Sequence, residues 1–259
     1  MRRFMLSALL GCLLAAPAWA PVLAAPAVAP VEGPRTLFVY GPGGPLTPVR
    51  ACGERFERMR GMRVQVDGGP EDRWIAKATR DADLIFSAAE YMLTDFARRH
   101  PGLLDPSARE SLWVRRAAIL VRRGNPRAIR SIHDLAKPGV KILDVTGAGQ
   151  TGLWEDLAGR HGLIPAVQRN IAASFYNTAE AMAAWRRQPE LDAWITFASW
   201  QDRMRDDTDV VDLPKGDRLY RGTPVAVTAR SRSRQEALAF VAFLKSEDCH
   251  ALFRQAGWE

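Results

Sequence analysis

Residues 144–156 read Asp144-Val145-Thr146-Gly147-Ala148-Gly149-Gln150-Thr151-Gly152-Leu153-Trp154-Glu155-Asp156. The glycines stand between an apolar run, Val140-Lys141-Ile142-Leu143, and the helical spacing of Leu153, Trp154, Leu157 and Ala158. A strand, a glycine turn and a helix start in that order gather unpaired backbone N–H groups at the positive end of a helix dipole. That is chemistry for holding an anion. Gln150 and Thr151 add side-chain donors suited to oxygens. Nucleotide chemistry fits poorly. A phosphate loop needs Lys after its last Gly, where Leu153 stands. The dinucleotide fingerprint matched by Gly147, Gly149 and Gly152 needs an acid about 20 positions later, yet no Asp or Glu occurs from Leu157 to Ala179. A glycine-rich turn with no ligand is the plainer alternative.

Other candidates follow the same logic. Gly43 and Gly44, in Gly41-Pro42-Gly43-Gly44-Pro45, let backbone N–H groups approach a ligand ahead of a second helix. Ser87 and Glu90 follow a third apolar run, with a helix-start role as the alternative for each. The four histidines, His100, His133, His161 and His250, show no metal-ligand spacing, so no metal site is expected. There is no Gly-x-Ser-x-Gly elbow and no His near a candidate nucleophile. The reading is therefore not an enzyme, and it calls for no cofactor.

The elements that must position these residues alternate regularly. Strands are expected at Thr36–Tyr40, Met62–Val66 and Ala82–Phe86, with helices at Leu46–Arg60, around Trp74–Ala78, and at Met92–Arg99. A second series has a short helix at Ser131–Leu135 and strands at 140–143, 170–174, 192–197 and 210–212. Thr178 is expected to cap a helix through Arg186. Two long extended runs, Leu112–Val121 and Arg221–Ala229, separate the two series, and helices at 235–245 and 247–255 close the chain. The pattern describes two α/β halves, 35–114 with 225–259 and 115–224, hinged near Arg115 and Thr223. Polar or glycine-rich residues sit at the C-terminal ends of the strands, the edge where open α/β sheets collect ligands.

The chain has 259 residues, 47% of them hydrophobic, enough for a sizeable core in two lobes. Arg2-Arg3, an apolar run from Phe4 to Ala16 and small residues to Ala25 read as a secretory signal with cleavage before Ala25. Residues 1–24 are thus a signal peptide and 25–34 a tether, which implies export to the periplasm without stable membrane insertion. Removing 1–24 takes away Arg2 and Arg3 and no acid, leaving 34 basic against 29 acidic residues. That excess suits an anionic ligand. Nucleic acid is not expected: no aromatic-interleaved basic motif is present. Cys52 and Cys249 lie on the first and last expected helices, in the same half. The sequence leaves open whether they are bridged.

In order and wording the chain resembles the type II periplasmic solute-binding proteins, most closely the accessory colonization factor C group. The matching phrases are Val39-Tyr40-Gly41-Pro42-Gly43-Gly44-Pro45, Gly69-Pro70 with Trp74, Ala82-Asp83-Leu84-Ile85-Phe86, Arg122/Arg123 before Gly124-Asn125-Pro126, Gly149-Gln150-Thr151-Gly152-Leu153-Trp154-Glu155-Asp156, and Asp192-Ala193-Trp194-Ile195-Thr196. The resemblance implies an α/β, two-lobed (Venus-flytrap) architecture with two crossover strands. It implies a ligand such as sulfate, molybdate, a small carboxylate or a phosphorylated acid, held between the lobes and delivered to an ABC-type transporter. Carried over, it implicates Gly43, Gly44, Ser87, Glu90, Gly149, Gln150, Thr151, Asn177, Thr178 and Thr196. Ala148 and Gln150 depart from the Ser or Thr of relatives, which leaves the size and identity of the ligand open. Members of the group have also been called adhesins or colonization factors, so a surface-interaction protein with a vestigial cleft is the alternative.

Overall fold

The computed structural model describes residues 36–259; the signal-peptide and tether readings of 1–34 lie outside the described residues. The first half opens with β1 (Thr36–Gly41), α1 (Leu46–Arg60) and β2 (Arg63–Gly68). After a 3₁₀ turn come α2 (Ile75–Asp81), β3 (Leu84–Phe86) and α3 (Glu90–Arg99). β1 is flanked by β2 and β3, parallel to both. Parallel strands need helical crossovers on the sheet faces, and period-two alternation then assigns side chains to faces. Leu37 and Val39 face the core shared with α1, while Phe38 and Tyr40 face Trp74 and Phe96 on the other side.

β4 (Leu104–Arg122) is the longest strand. The sequence places its start at Leu112, leaving out Asp105, Pro106 and Ser107. In the structure these residues continue the strand through an irregular register, pairing with β9 between Leu104 and Arg109; Pro106 cannot donate to a ladder, so an irregular stretch accommodates it. From Ala117 onward β4 pairs with different partners. One strand therefore serves both halves.

The second half holds α4 (Ile132–Leu135), β5 (Ile142–Val145), α5 (Leu153–Gly159), α6 (Ile164–Asn170), β6 (Ile171–Phe175), α7 (Thr178–Arg187), β7 (Ala193–Phe197) and β8 (Thr208–Asp212). β9 (Tyr220–Thr228) returns to the first half, and α8 (Arg234–Leu244) and α9 (Glu247–Gln255) pack there. The strand order is β2-β1-β3-β9-β4-β7-β5-β6, with β8 beside β4. This is the α/β, two-lobed architecture expected, with β4 and β9 as its crossover strands.

Each lobe has its own core. Trp154, Trp185, Trp194 and Phe197 anchor the second. In the first, Phe56 of α1 meets Phe240 and Phe243 of α8 at centroid separations of 5.1 and 5.5 Å. Burying a side chain of that size stabilises by roughly 1.5–3 kcal/mol. A disulfide between Cys52 and Cys249, with Cα atoms 5.6 Å apart, ties α1 to α9 and answers the question the sequence left open.

Candidate functional site

Four strand ends lead into one cleft of about 800 Å³ between the lobes. From the first lobe, β1 delivers Pro42, Gly43 and Gly44 to its wall. Gly41 must be glycine, since a Cβ there would lie 2.5 Å from the Phe86 carbonyl. α1 then starts without a side-chain cap, so the first-turn N–H groups have no competing side-chain acceptor. β3 delivers Ser87, which is buried, and α3 contributes Tyr91 and Arg99.

From the second lobe, β5 delivers Thr146, Gly147, Ala148 and Thr151, and β6 delivers Tyr176, Asn177 and Thr178. The 147–152 turn is held by Ala148, Gly149 and Gly152 in left-handed backbone, with φ of 53°, 83° and 72°. Alanine adopts that conformation only at a cost, of order 1 kcal/mol or more. The turn closes on itself: the Thr151 hydroxyl donates to the Thr146 carbonyl at 2.7 Å, and Gln150 N–H to the Gly147 carbonyl at 2.9 Å. The cap of α7 is Asn177, not Thr178. Its Oδ1 accepts from Glu180 N–H at 3.0 Å, which leaves the Asn177 side-chain NH₂ as its donor towards the cleft.

The residues implicated by sequence thus divide. Gly43, Gly44, Ser87, Thr151, Asn177 and Thr178 line the cleft together. Gly149 does not line it; a Cβ there would lie 2.9 Å from the Ala88 carbonyl. Gln150 is turned into the second lobe. Its Nε2 donates to Thr178 Oγ1 at 3.2 Å, and its Oε1 accepts from Trp194 Nε1 at 3.0 Å. Thr196 is wholly buried on β7, and its hydroxyl has no partner among the described residues. Glu90 points to the crossover strands, accepting from Arg109 at 2.6 Å and Ser111 at 2.5 Å. Gln150, Thr196 and Glu90 do not line the cleft.

The structure adds residues that sequence reasoning missed. Arg203 lines the second lobe's side and donates across to Thr47 Oγ1 at 2.6 Å. Desolvation, then the like charge of Arg50, pull its pKa below the ordinary value. Tyr91 OH accepts the Thr151 N–H at 3.1 Å, a second contact from lobe to lobe. Arg99 is paired with Glu71, which also meets His100 at 2.9 Å. Burial raises the Glu71 carboxyl, but the bonds from Arg99 and His100 outweigh it and hold the group below its usual range. These residues carried no motif; only the fold brings them to the cleft. Among the described residues no cluster of His, Cys, Asp and Glu could hold a metal.

Two α/β lobes joined by two strands, with strand-end loops converging between them, define a two-lobed binding protein. The chain belongs to the family described as bacterial extracellular solute-binding protein, whose sequence model matches residues 37–259, and it has the fold of the type II periplasmic solute-binding proteins. PEB3 from Campylobacter jejuni is 32% identical, over 86% of this chain and 99% of that one, with a TM-score of 0.78. PEB3 with L-phospholactate bound gives the same identity and coverage and a TM-score of 0.79. The sulfate-binding protein SubI from Mycobacterium tuberculosis H37Rv shares the fold at 21% identity, over 86% of each chain, with a TM-score of 0.72. No curated protein matches the chain. Among the described residues, no helix is long and apolar enough to cross a membrane.

Proposed function

We propose that the protein captures a small anion between its lobes in the periplasm and hands it to an ABC-type transporter, without performing chemistry on it. The observation that carries this is the convergence of Gly43, Gly44, Ser87, Ala148, Asn177 and Thr178, from both lobes, on one cleft. Most of these groups offer neutral N–H or O–H donors, and an anion removed from water needs each of its oxygens met by one. The cleft, at about 800 Å³, has room for more than a bare tetrahedral oxyanion. That favours a small phosphorylated or carboxylated acid over sulfate or molybdate, in keeping with the L-phospholactate in PEB3. The proposed lobes are 35–114 with 225–259, and 115–224. The ligand would favour closure by binding the closed arrangement better than the open one.

A thermal-shift panel of L-phospholactate, citrate, sulfate, molybdate and phosphate tests this. A bound ligand at 100 times its Kd should stabilise by about 2.7 kcal/mol. The expected order is L-phospholactate or citrate ahead of the inorganic anions. No shift with any member would discard anion capture and leave the surface-interaction reading.

A further inference from the structure

Arg115 lies where β4 passes from one lobe to the other, and it has no exposed surface. Its Nη2 donates to the Ala88 carbonyl at 2.8 Å. Nε and Nη1 are buried with no acceptor among the described residues, and no carboxylate is within ion-pair distance there. The guanidinium carbon sits 3.9 Å from the Phe197 ring centroid and 5.3 Å from that of Trp258. Burial pulls its pKa down to about 9, which leaves it charged at neutral pH.

What covers this cation is glycine from both lobes. A Cβ on Gly44 would lie 3.0 Å from Nη1, and one on Gly149 would lie 3.1 Å from Nη2. Gly44 lines the cleft, as does Ala148 beside Gly149. The charge therefore lies behind the cleft wall, where Gly44, Ala88 and Gly149 close over it with little side-chain bulk between. Burying an unpaired cation is costly, and an apolar side chain of similar volume would pin the hinge more cheaply.

We infer that Arg115 is a fixed, buried countercharge of the cleft, in addition to the exposed Arg203 on its wall, and a positioning residue that acts from behind the glycines and favours a net negative ligand. The inference rests on the anion-capture reading. Neutral donors discriminate by geometry and the exposed Arg203 attracts anions through screening solvent; a full positive charge in a water-poor interior discriminates by charge more strongly.

Calorimetric titration of the wild type, Arg115→Met and Arg115→Lys with L-phospholactate and with sulfate tests it. Arg115→Met should weaken the better-bound anion on the order of 100-fold, as for unit charges about 6 Å apart at an effective dielectric of about 20. Arg115→Lys should fall between the wild type and Arg115→Met and weaken further as pH rises, because a buried ammonium keeps its proton less firmly than a guanidinium. The melting temperature of ligand-free Arg115→Met should rise, since an uncompensated charge is gone. A mere hinge pin would give the opposite: a lower melting temperature with Met, and Lys and Met equally impaired. Wild-type binding together with unimpaired Arg115→Met would overturn this inference alone. A wild type that binds neither anion would overturn the capture reading and this inference with it. Should Arg115→Met fail to fold, Gly44→Ala takes its place. Its methyl crowds Nη1, so affinity should drop at least tenfold in a folded protein, and unchanged affinity would overturn the proposal.

Discussion

Arg115 and Arg122 stand on the same strand, and each guanidinium carbon lies 3.9 Å from an aromatic centroid, Phe197 for one and Trp185 for the other. Their surroundings differ. Arg122, at the far end of β4, donates to the carbonyls of Leu191, Trp185 and Gln188 at 2.7, 3.0 and 2.5 Å. Arg115, close to where β4 changes partners, gives one such bond and keeps two nitrogens without acceptors among the described residues. The second lobe's interior treats Gln150 as it treats Arg122, using both ends of the amide to hold Thr178 and Trp194. Satisfied polar groups brace a lobe. The unsatisfied guanidinium lies behind the cleft wall, its charge uncompensated among the described residues.

The largest effect should come from undoing the satisfied cation. Arg122→Met leaves three carbonyls short of a donor and should cost about 3 kcal/mol, read from urea unfolding. A loss below about 1 kcal/mol would erase the contrast with Arg115. Next comes Gln150→Leu, which strands Trp194 Nε1 and the Thr178 hydroxyl and should cost about 2 kcal/mol. The diagnostic is a lowered melting temperature without ligand. If stability holds while anion affinity collapses, Gln150 belongs to the cleft and not to the brace.

The smallest effect calibrates the other two at a surface site. Asp134 accepts from Arg130 N–H at 2.8 Å and Ser131 N–H at 3.1 Å, closing the capping box of α4. The Lys137 ammonium first, then these backbone donors, hold its pKa down to about 2, below its ordinary 3.8. Because the folded value is the lower one, the stabilisation is complete above the ordinary value and fades as pH falls through about 2. Asp134→Asn should cost about 1 kcal/mol at pH 7, and the difference should vanish in strong acid. A gap that persists there would mean the carboxylate charge is not what matters.

Much of this could be read along the chain, and the failures share a cause. α1, α4, α7 and α9 fell close to where apolar spacing, Pro45 and the cap residues put them, because those signals are local. α6 went unseen: its Ile164-Pro165 start is short and offers one buried residue, Val167. The glycine loops were legible because left-handed backbone and close approach leave a residue-type mark. The direction of a side chain leaves none. Gln150 looks like a ligand donor until Trp194, far along the chain, arrives beside it. Arg115 looks like one more charge on a crossover strand until Gly44, Ala88, Gly149 and Phe197 close around it.

The Cys52–Cys249 bond joins positions 197 residues apart, and every element from β4 to β9 lies inside the ring it closes. A peptide bond cut anywhere in the second lobe therefore opens that ring without releasing a fragment. On an electrophoresis gel run without reductant, a singly nicked molecule would migrate as one species, and only a thiol would part it in two.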